Sequence, residues 1–167
     1  FHPEALLLSI RVNQALGEEK RAEYAFLTLL QSERELLPEH LERAIQLVDP
    51  PLLTSPRSGG QPPFPVWRFL RAALRFRLFE ANGVAADLQR ARGELVALEK
   101  GVREGAFQPW LQAPYFWWTV GKVYEAVPAL PQALAAYEHA LEVCPRHLPS
   151  AERLRALTSA HGLESRH

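Results

Sequence analysis

Apolar residues recur at intervals of three and four positions along most of this chain of 167 residues. That spacing places them on one side of a helix, whereas no stretch shows the strict alternation that is typical of a half-buried strand. The pattern therefore predicts an all-α fold built from helical hairpins.

Proline and glycine residues divide the chain into successive helices. Pro3 lies in the first turn of a helix that ends at Gly17, and a second helix begins at about Glu19, because proline favours the start of a helix and glycine its end. We predict one domain with these parts: a hairpin plus an extra helix over 1–48, a long hairpin over 66–104, a third hairpin over 114–147 and a capping helix over 149–161.

The stretch 49–65, with the sequence DPPLLTSPRSGGQPPFP, is dense in proline, glycine and serine. This composition opposes a regular helix or strand. Because the stretch is longer than most connections within a domain, it is either a functional loop or a flexible insertion. The flexible insertion is the favoured interpretation.

The hairpin over 114–147 has the most regular pattern in the chain. Its small and aromatic positions are Trp117, Val120, Gly121 and Tyr124, followed by Ala133, Tyr137, Ala140 and Pro145. The series resembles the tetratricopeptide repeat, a two-helix unit of about 34 residues. Small residues let the two helices approach closely, and the aromatic rings fill the space around them. The resemblance implies an α-solenoid of stacked hairpins that acts as an interaction module.

The same resemblance implies a concave groove lined mainly by the first helix of each hairpin. In the clear repeat, the groove positions would be Tyr115, Trp118, Lys122 and Glu125. A peptide or a partner protein would bind there.

The first hairpin is interpreted as a degenerate copy of this repeat, with Gly17 at the turn between its helices. Its first helix carries an apolar series at helical spacing, formed by Ala5, Leu8, Val12, Ala15 and Leu16. The corresponding groove positions would be Arg11 and Gln14, together with Glu4 and Leu7.

Each groove residue also has a purely structural interpretation. Trp117 and Trp118 point about 100° apart on a helix, so Trp118 either packs against the preceding hairpin or stands in the groove as an aromatic anchor. Lys122 and Glu125 are three positions apart, and a solvated side-chain pair is favoured over a ligand contact for them.

Three arginines, Arg68, Arg71 and Arg75, follow one another at spacings of three and four and so share one helix face. Because arginine forms bidentate contacts with carboxylates and phosphates, this basic stripe is a second candidate binding surface. A solvated helix face is the favoured alternative.

Charge and composition exclude several classes of partner. The 19 basic and 19 acidic residues cancel, so the chain has no overall attraction to nucleic acid or to an anionic membrane. No apolar run is long enough to span a bilayer. The single cysteine, Cys144, excludes an internal disulfide and favours a reducing compartment such as the cytoplasm. A start at Phe1 and the lack of methionine favour a fragment or a processed form.

The sequence contains no P-loop, no dinucleotide-binding glycine motif, no H-E-x-x-H and no G-x-S-x-G motif. A Cys144–His147 nucleophile or metal pair is much less favoured than a half-buried cysteine beside an exposed histidine. We therefore expect no enzyme activity, no metal and no cofactor. The sequence predicts a protein-interaction scaffold; the alternative is a regulatory or ligand-sensing helical domain that controls an attached effector. It does not predict the oligomeric state.

Overall fold

The computed structural model describes residues 2–30, 36–48, 65–104 and 114–160. Every regular element in these ranges is an α-helix, which confirms the all-α fold class. The helices are α1 (Pro3–Ala15), α2 (Glu19–Leu30), α3 (Pro38–Leu47), α4 (Pro65–Asn82), α5 (Ala85–Arg103), α6 (Pro114–Ala126), α7 (Leu130–Val143) and α8 (Leu148–Ala160). The loop predicted over 49–65 lies outside the described residues, except for Pro65, which begins α4.

The turns that separate the helices have the expected chemistry. Gly17 and Gly83 adopt φ values of 72° and 71°, in the left-handed region that residues with a Cβ rarely occupy. At the second turn, Oδ1 of Asn82 accepts a hydrogen bond of 2.9 Å from the backbone N–H of Val84. This bond closes the turn between α4 and α5.

The chain divides into two compact units, residues 1–94 and 95–167. In the first unit α1 packs against α2 and α3, and α4 packs against α2 and α3. Polar contacts join the same helices: Arg77 donates a hydrogen bond of 2.6 Å to the carbonyl of Leu30 at the end of α2. That contact satisfies one of the carbonyl groups left unpaired at a helix C-terminus.

The second unit contains α6, α7 and α8, with α7 packed against both neighbours. Its core includes Trp117, Val120 and Tyr137, which are fully or almost fully buried. These are positions that the repeat pattern assigned to packing. Burial of such large side chains stabilises each unit by roughly 1.5–3 kcal/mol per residue before conformational entropy is counted.

The apolar series predicted for α1 does not form its buried face. Leu7 and Ile10 are buried, whereas Leu8, Val12 and Leu16 are 61%, 47% and 70% exposed. The helix is apolar on several sides, so periodicity alone did not identify the side that meets the core. Consequently α1 packs through the face that includes Leu7, and the opposite apolar series faces outward.

Candidate functional site

Tyr115, Trp118 and Lys122 form a row along α6, which we call the aromatic row. The ring centroids of Tyr115 and Trp118 lie 5.4 Å apart with their planes inclined by 27°. The Nζ atom of Lys122 lies 5.9 Å from the centroid of the Trp118 ring, within the range of a cation–π contact. All three side chains are half-buried. Their spacing along the helix thus produces a continuous stack of two rings and an ammonium group.

Trp118 also contacts the core of the second unit. It packs against the buried cluster of Ala133, Tyr137 and Leu157, on α7 and α8. Its indole Nε1 is enclosed and has no hydrogen-bond partner within the described residues. Packing therefore fixes one side of the indole while another part stays accessible.

Glu125, the fourth predicted groove residue, is engaged in a polar network that joins three helices. Its carboxylate accepts a hydrogen bond from the hydroxyl of Tyr137 on α7. It also accepts two from the guanidinium of Arg153 on α8, one of them 3.1 Å from Nε to Oε2. A bidentate arginine contact of this kind is among the stronger polar interactions in proteins. Glu125 therefore holds α6, α7 and α8 together.

The network changes the acidity of its members. Burial by itself raises the pKa of Glu125, but the hydrogen bonds from Arg153 and Tyr137 outweigh burial and lower the pKa below its ordinary value of 4.5. The pKa of Tyr137 is raised, first by burial and then by the neighbouring carboxylate. Glu125 is therefore ionised and Tyr137 neutral at physiological pH.

Glu125→Gln is expected to reduce the free energy of unfolding at neutral pH by about 1 kcal/mol, because the charge-assisted contact is lost at a partly screened site. The pKa of Glu125 is lower in the folded state than its ordinary value of 4.5. The stabilisation by the ionised carboxylate is therefore fully present above about pH 4.5, and it is lost as the pH falls through the lower pKa of the folded state. Urea unfolding of wild type and variant at neutral and acidic pH measures the difference.

The matched control is Glu138→Gln, since Glu138 is exposed on α7 and belongs to none of these contacts. We expect this control to leave the unfolding free energy nearly unchanged at both pH values. A Glu125→Gln deficit that stays constant from neutral to acidic pH would contradict the assigned role of the carboxylate.

Two of the four groove positions predicted in the first hairpin, Glu4 and Gln14, contact α3. Leu7 is buried, and Nε2 of Gln14 donates a hydrogen bond of 2.9 Å to the carbonyl of Leu47. Nη1 of Arg43 donates hydrogen bonds of 2.8 and 2.9 Å to the carboxylate of Glu4. Among the four predicted positions, only Arg11 is exposed and has no such contact with the residues that the structure describes.

The predicted basic stripe is partly neutralised within its own unit. Arg71 forms an ion pair with Glu94 on α5, and Nη1 of Arg75 lies 3.4 Å from the same carboxylate. Arg68 is half-buried. The side chains of Arg71, Arg75 and Glu94 are at most 20% exposed. The carboxylate that compensates the charges of Arg71 and Arg75 is therefore that of Glu94, within this chain.

The opposite side of α6 packs inside the second unit. Trp117 and Tyr124 on this side contact residues that sequence analysis did not identify. Trp117 is fully buried, with the guanidinium of Arg103 5.2 Å from its ring centroid and the His139 ring 4.2 Å away. The hydroxyl of Tyr124 donates a hydrogen bond of 2.9 Å to Glu99. No local sequence signal marks Glu99, Arg103 or Arg153, because each matters only through a partner that is distant along the chain.

In the part of the chain that the structure describes, the side chains of Cys144 and His147 form no hydrogen bond with each other, and the His147 ring instead faces Ser150. Nδ1 of His147 lies 2.7 Å from Oγ of the buried Ser150, and burial lowers the pKa of His147. Across the ranges given above, no group of three or more His, Cys, Asp or Glu side chains is arranged to hold a metal ion. The polar side chains near Cys144 thus have a clear structural role at the start of α8.

No helix of the described part of the chain is both long and apolar enough to cross a membrane. Comparison with known proteins adds no family assignment: no family model, no curated protein and no solved structure matches the chain.

Proposed function

We propose that this protein is a non-catalytic interaction scaffold, a tetratricopeptide-like α-solenoid that binds a peptide or partner protein along the groove-facing side of α6. The aromatic row of Tyr115, Trp118 and Lys122 is the proposed contact surface. Glu125 holds α6 in place by joining it to α7 and α8.

The packing of α6 on α7 supports the proposed repeat architecture. A Cβ atom placed on Gly121 would lie only 2.6 Å from Cε1 of the Tyr137 ring, far inside ordinary van der Waals contact. Gly121 therefore permits the close helix approach that this motif requires, and Tyr137 occupies the aromatic position opposite it. The spacing of Trp117, Gly121 and Tyr124 in the sequence has the same physical basis.

The observation that carries the functional proposal is the partial exposure of the preformed aromatic row. Aromatic residues contribute strongly to protein interfaces because they bury a large area and lose little rotamer entropy. Trp118 is already held by contacts with α7 and α8, so a partner would not have to order it. Lys122 adds a cation beside the rings, whereas the charge of Glu125 is compensated by Arg153.

Trp118→Ala is expected to reduce the recovery of specific partners from the source cell by at least about tenfold, as for the loss of an interface anchor worth about 1.4 kcal/mol or more. Quantitative affinity capture with immobilised wild type and variant measures this loss. Lys122→Ala removes the cation without disturbing the core-facing indole and is expected to have a smaller effect in the same direction.

Tyr24→Ala is the matched control, because Tyr24 is an exposed aromatic residue on α2 outside the proposed surface. Unfolding curves for all three variants establish that the proteins compared are folded. Equal recovery of the same partners by wild type and by folded Trp118→Ala would refute the proposed groove.

A further inference from the structure

The outward side of α1 is a continuous apolar strip, which we call the α1 strip. It consists of Ala5, Leu8, Val12, Ala15 and Leu16, all of them exposed. The first four are separated by three, four and three positions, the spacing of the a and d positions of a heptad repeat. An exposed row of this kind on a helix whose other side is already packed is typical of a helix-binding surface.

An open depression of about 530 Å³ lies at the N-terminal end of the α1 strip. It is lined by Ala5 and Leu8 together with charged side chains of α1 and α3, namely Glu4, Arg11 and Arg43, and by His2. The depression thus combines apolar and charged side chains, which suits a ligand that is itself amphipathic.

The charge balance of this rim is positive. Glu4 accepts hydrogen bonds of 2.8 and 2.9 Å from Arg43, and Arg43 chiefly, against a smaller effect of burial, lowers the pKa of the Glu4 carboxyl. These two charges therefore compensate each other. Arg11 is exposed and forms no ion pair within the described part of the chain, so it leaves one uncompensated positive charge beside Leu8 and Val12.

A second copy of the chain would fit the α1 strip poorly. In an antiparallel pair, Leu8 of each copy would oppose Val12 of the other, and the two Arg11 side chains would meet on the same flank near the two-fold axis. Like charges in that position are destabilising. A parallel pair would place Arg11 beside Leu16 of the second copy and leave its charge uncompensated.

We propose that the α1 strip binds an amphipathic, acidic helix of a partner protein. Its apolar side chains pack on Leu8, Val12 and Leu16, and its flanking carboxylates face Arg11. This surface belongs to the first compact unit and is separate from the aromatic row, so the inference goes beyond the proposed function and does not depend on it.

The test uses a synthetic three-heptad helical peptide with leucine at positions a and d and glutamate at positions e and g. A matched peptide carries lysine at e and g. Each is labelled with a fluorophore and titrated with the full chain while anisotropy is recorded. We expect saturable binding of the acidic peptide, at least about tenfold weaker binding of the lysine peptide, and a loss of at least about tenfold with Leu8→Gln.

Arg11→Glu provides a charge-reversal test, since it is expected to weaken binding of the acidic peptide and to strengthen binding of the lysine peptide. The controls are Leu148→Gln, at a leucine that is 61% exposed like Leu8, and Arg92→Glu, at an exposed arginine on α5. Both are expected to bind the acidic peptide as wild type does. Trp118→Ala should also bind it normally, which separates this proposal from the aromatic row.

Three results would overturn the proposal. The first is that wild type fails to bind the acidic peptide. The second is that wild type binds the two peptides equally and that Arg11→Glu changes neither affinity. The third is a concentration-dependent dimer of wild type, seen by sedimentation, that Leu8→Gln dissociates; that result would assign the α1 strip to a second copy.

Discussion

Trp117→Ala is expected to lower the free energy of unfolding by about 3–5 kcal/mol, the range for truncating a large buried aromatic residue. Trp117 is fully buried, and its ring contacts Phe116, His139 and the guanidinium of Arg103. The substitution removes these contacts and leaves a cavity between helices. Since a domain is stabilised by only about 5–15 kcal/mol in total, much of the stability would be lost. Urea unfolding followed by far-ultraviolet circular dichroism measures the effect.

Trp118→Ala is the natural comparison because it removes the same side chain from the next position. Trp118 is only half-buried, so we expect a clearly smaller loss of unfolding free energy. Trp117→Phe retains an aromatic ring and keeps the comparison possible if the alanine variant does not fold. Equal destabilisation by the two alanine substitutions would contradict the assignment of Trp117 to the packing side of α6.

Gly121→Ala is expected to destabilise the protein by about 1–3 kcal/mol, as overpacking of a core does. In an exposed helix the same change is stabilising by about 1 kcal/mol, because alanine has the higher helix propensity. At Gly121 the new methyl group would lie 2.6–2.9 Å from three atoms of the Tyr137 ring. That ring is buried and its hydroxyl is bound by Glu125, so it cannot move aside without breaking other contacts. Steric overlap is therefore expected to exceed the gain in propensity.

Gly93→Ala supplies the opposite expectation. Gly93 is exposed within α5, and nothing lies within 4 Å of a Cβ atom placed there. We expect this substitution to raise the free energy of unfolding by about 1 kcal/mol. Measuring the free energy of unfolding of both variants separates the effect of helix propensity from the effect of packing. A stabilising effect of Gly121→Ala would show that α6 and α7 do not pack as closely as described.

The elements that sequence analysis predicted well are those whose signals are local. Gly17 was predicted to end the first helix, and it adopts the left-handed φ that such a helix end favours. The buried residues of α5, which include Leu88, Leu95 and Val102, are seven positions apart, so they share one side of the helix.

The faces that sequence analysis misjudged depend on partners that are distant along the chain. In α1, leucine occupies positions 6, 7 and 8, so the helical period fits more than one face. Packing of α1 against α2 and α3 buries Leu7 and leaves Leu8 exposed. The arginine stripe was misjudged for the same reason. Three like charges on one helix face predict a solvent-exposed face, unless another helix brings a carboxylate such as that of Glu94 opposite them.

The candidate site was only partly predictable for the same reason. Stacking of Tyr115 on Trp118 follows from their spacing on one helix, as does the position of Lys122. The engagement of Glu125 does not, because Tyr137 and Arg153 lie 12 and 28 positions further along the chain. Lys122 and Glu125 were expected to form a solvated pair. Lys122 does act electrostatically on the Glu125 carboxylate and helps to lower its pKa, but Arg153 and Tyr137 bind that carboxylate directly.

The distance of 28 positions between Glu125 and Arg153 along the chain has a consequence for biosynthesis. Glu125 and Tyr137 leave the ribosome well before Arg153, so the hairpin of α6 and α7 first exists without the cation that compensates its carboxylate. A half-buried charge without its partner is costly, and we expect the nascent hairpin to open repeatedly until α8 has emerged. Docking of α8 thus completes the packing around Glu125, and a ribosome that stalls before Arg153 holds a chain in which this packing is incomplete.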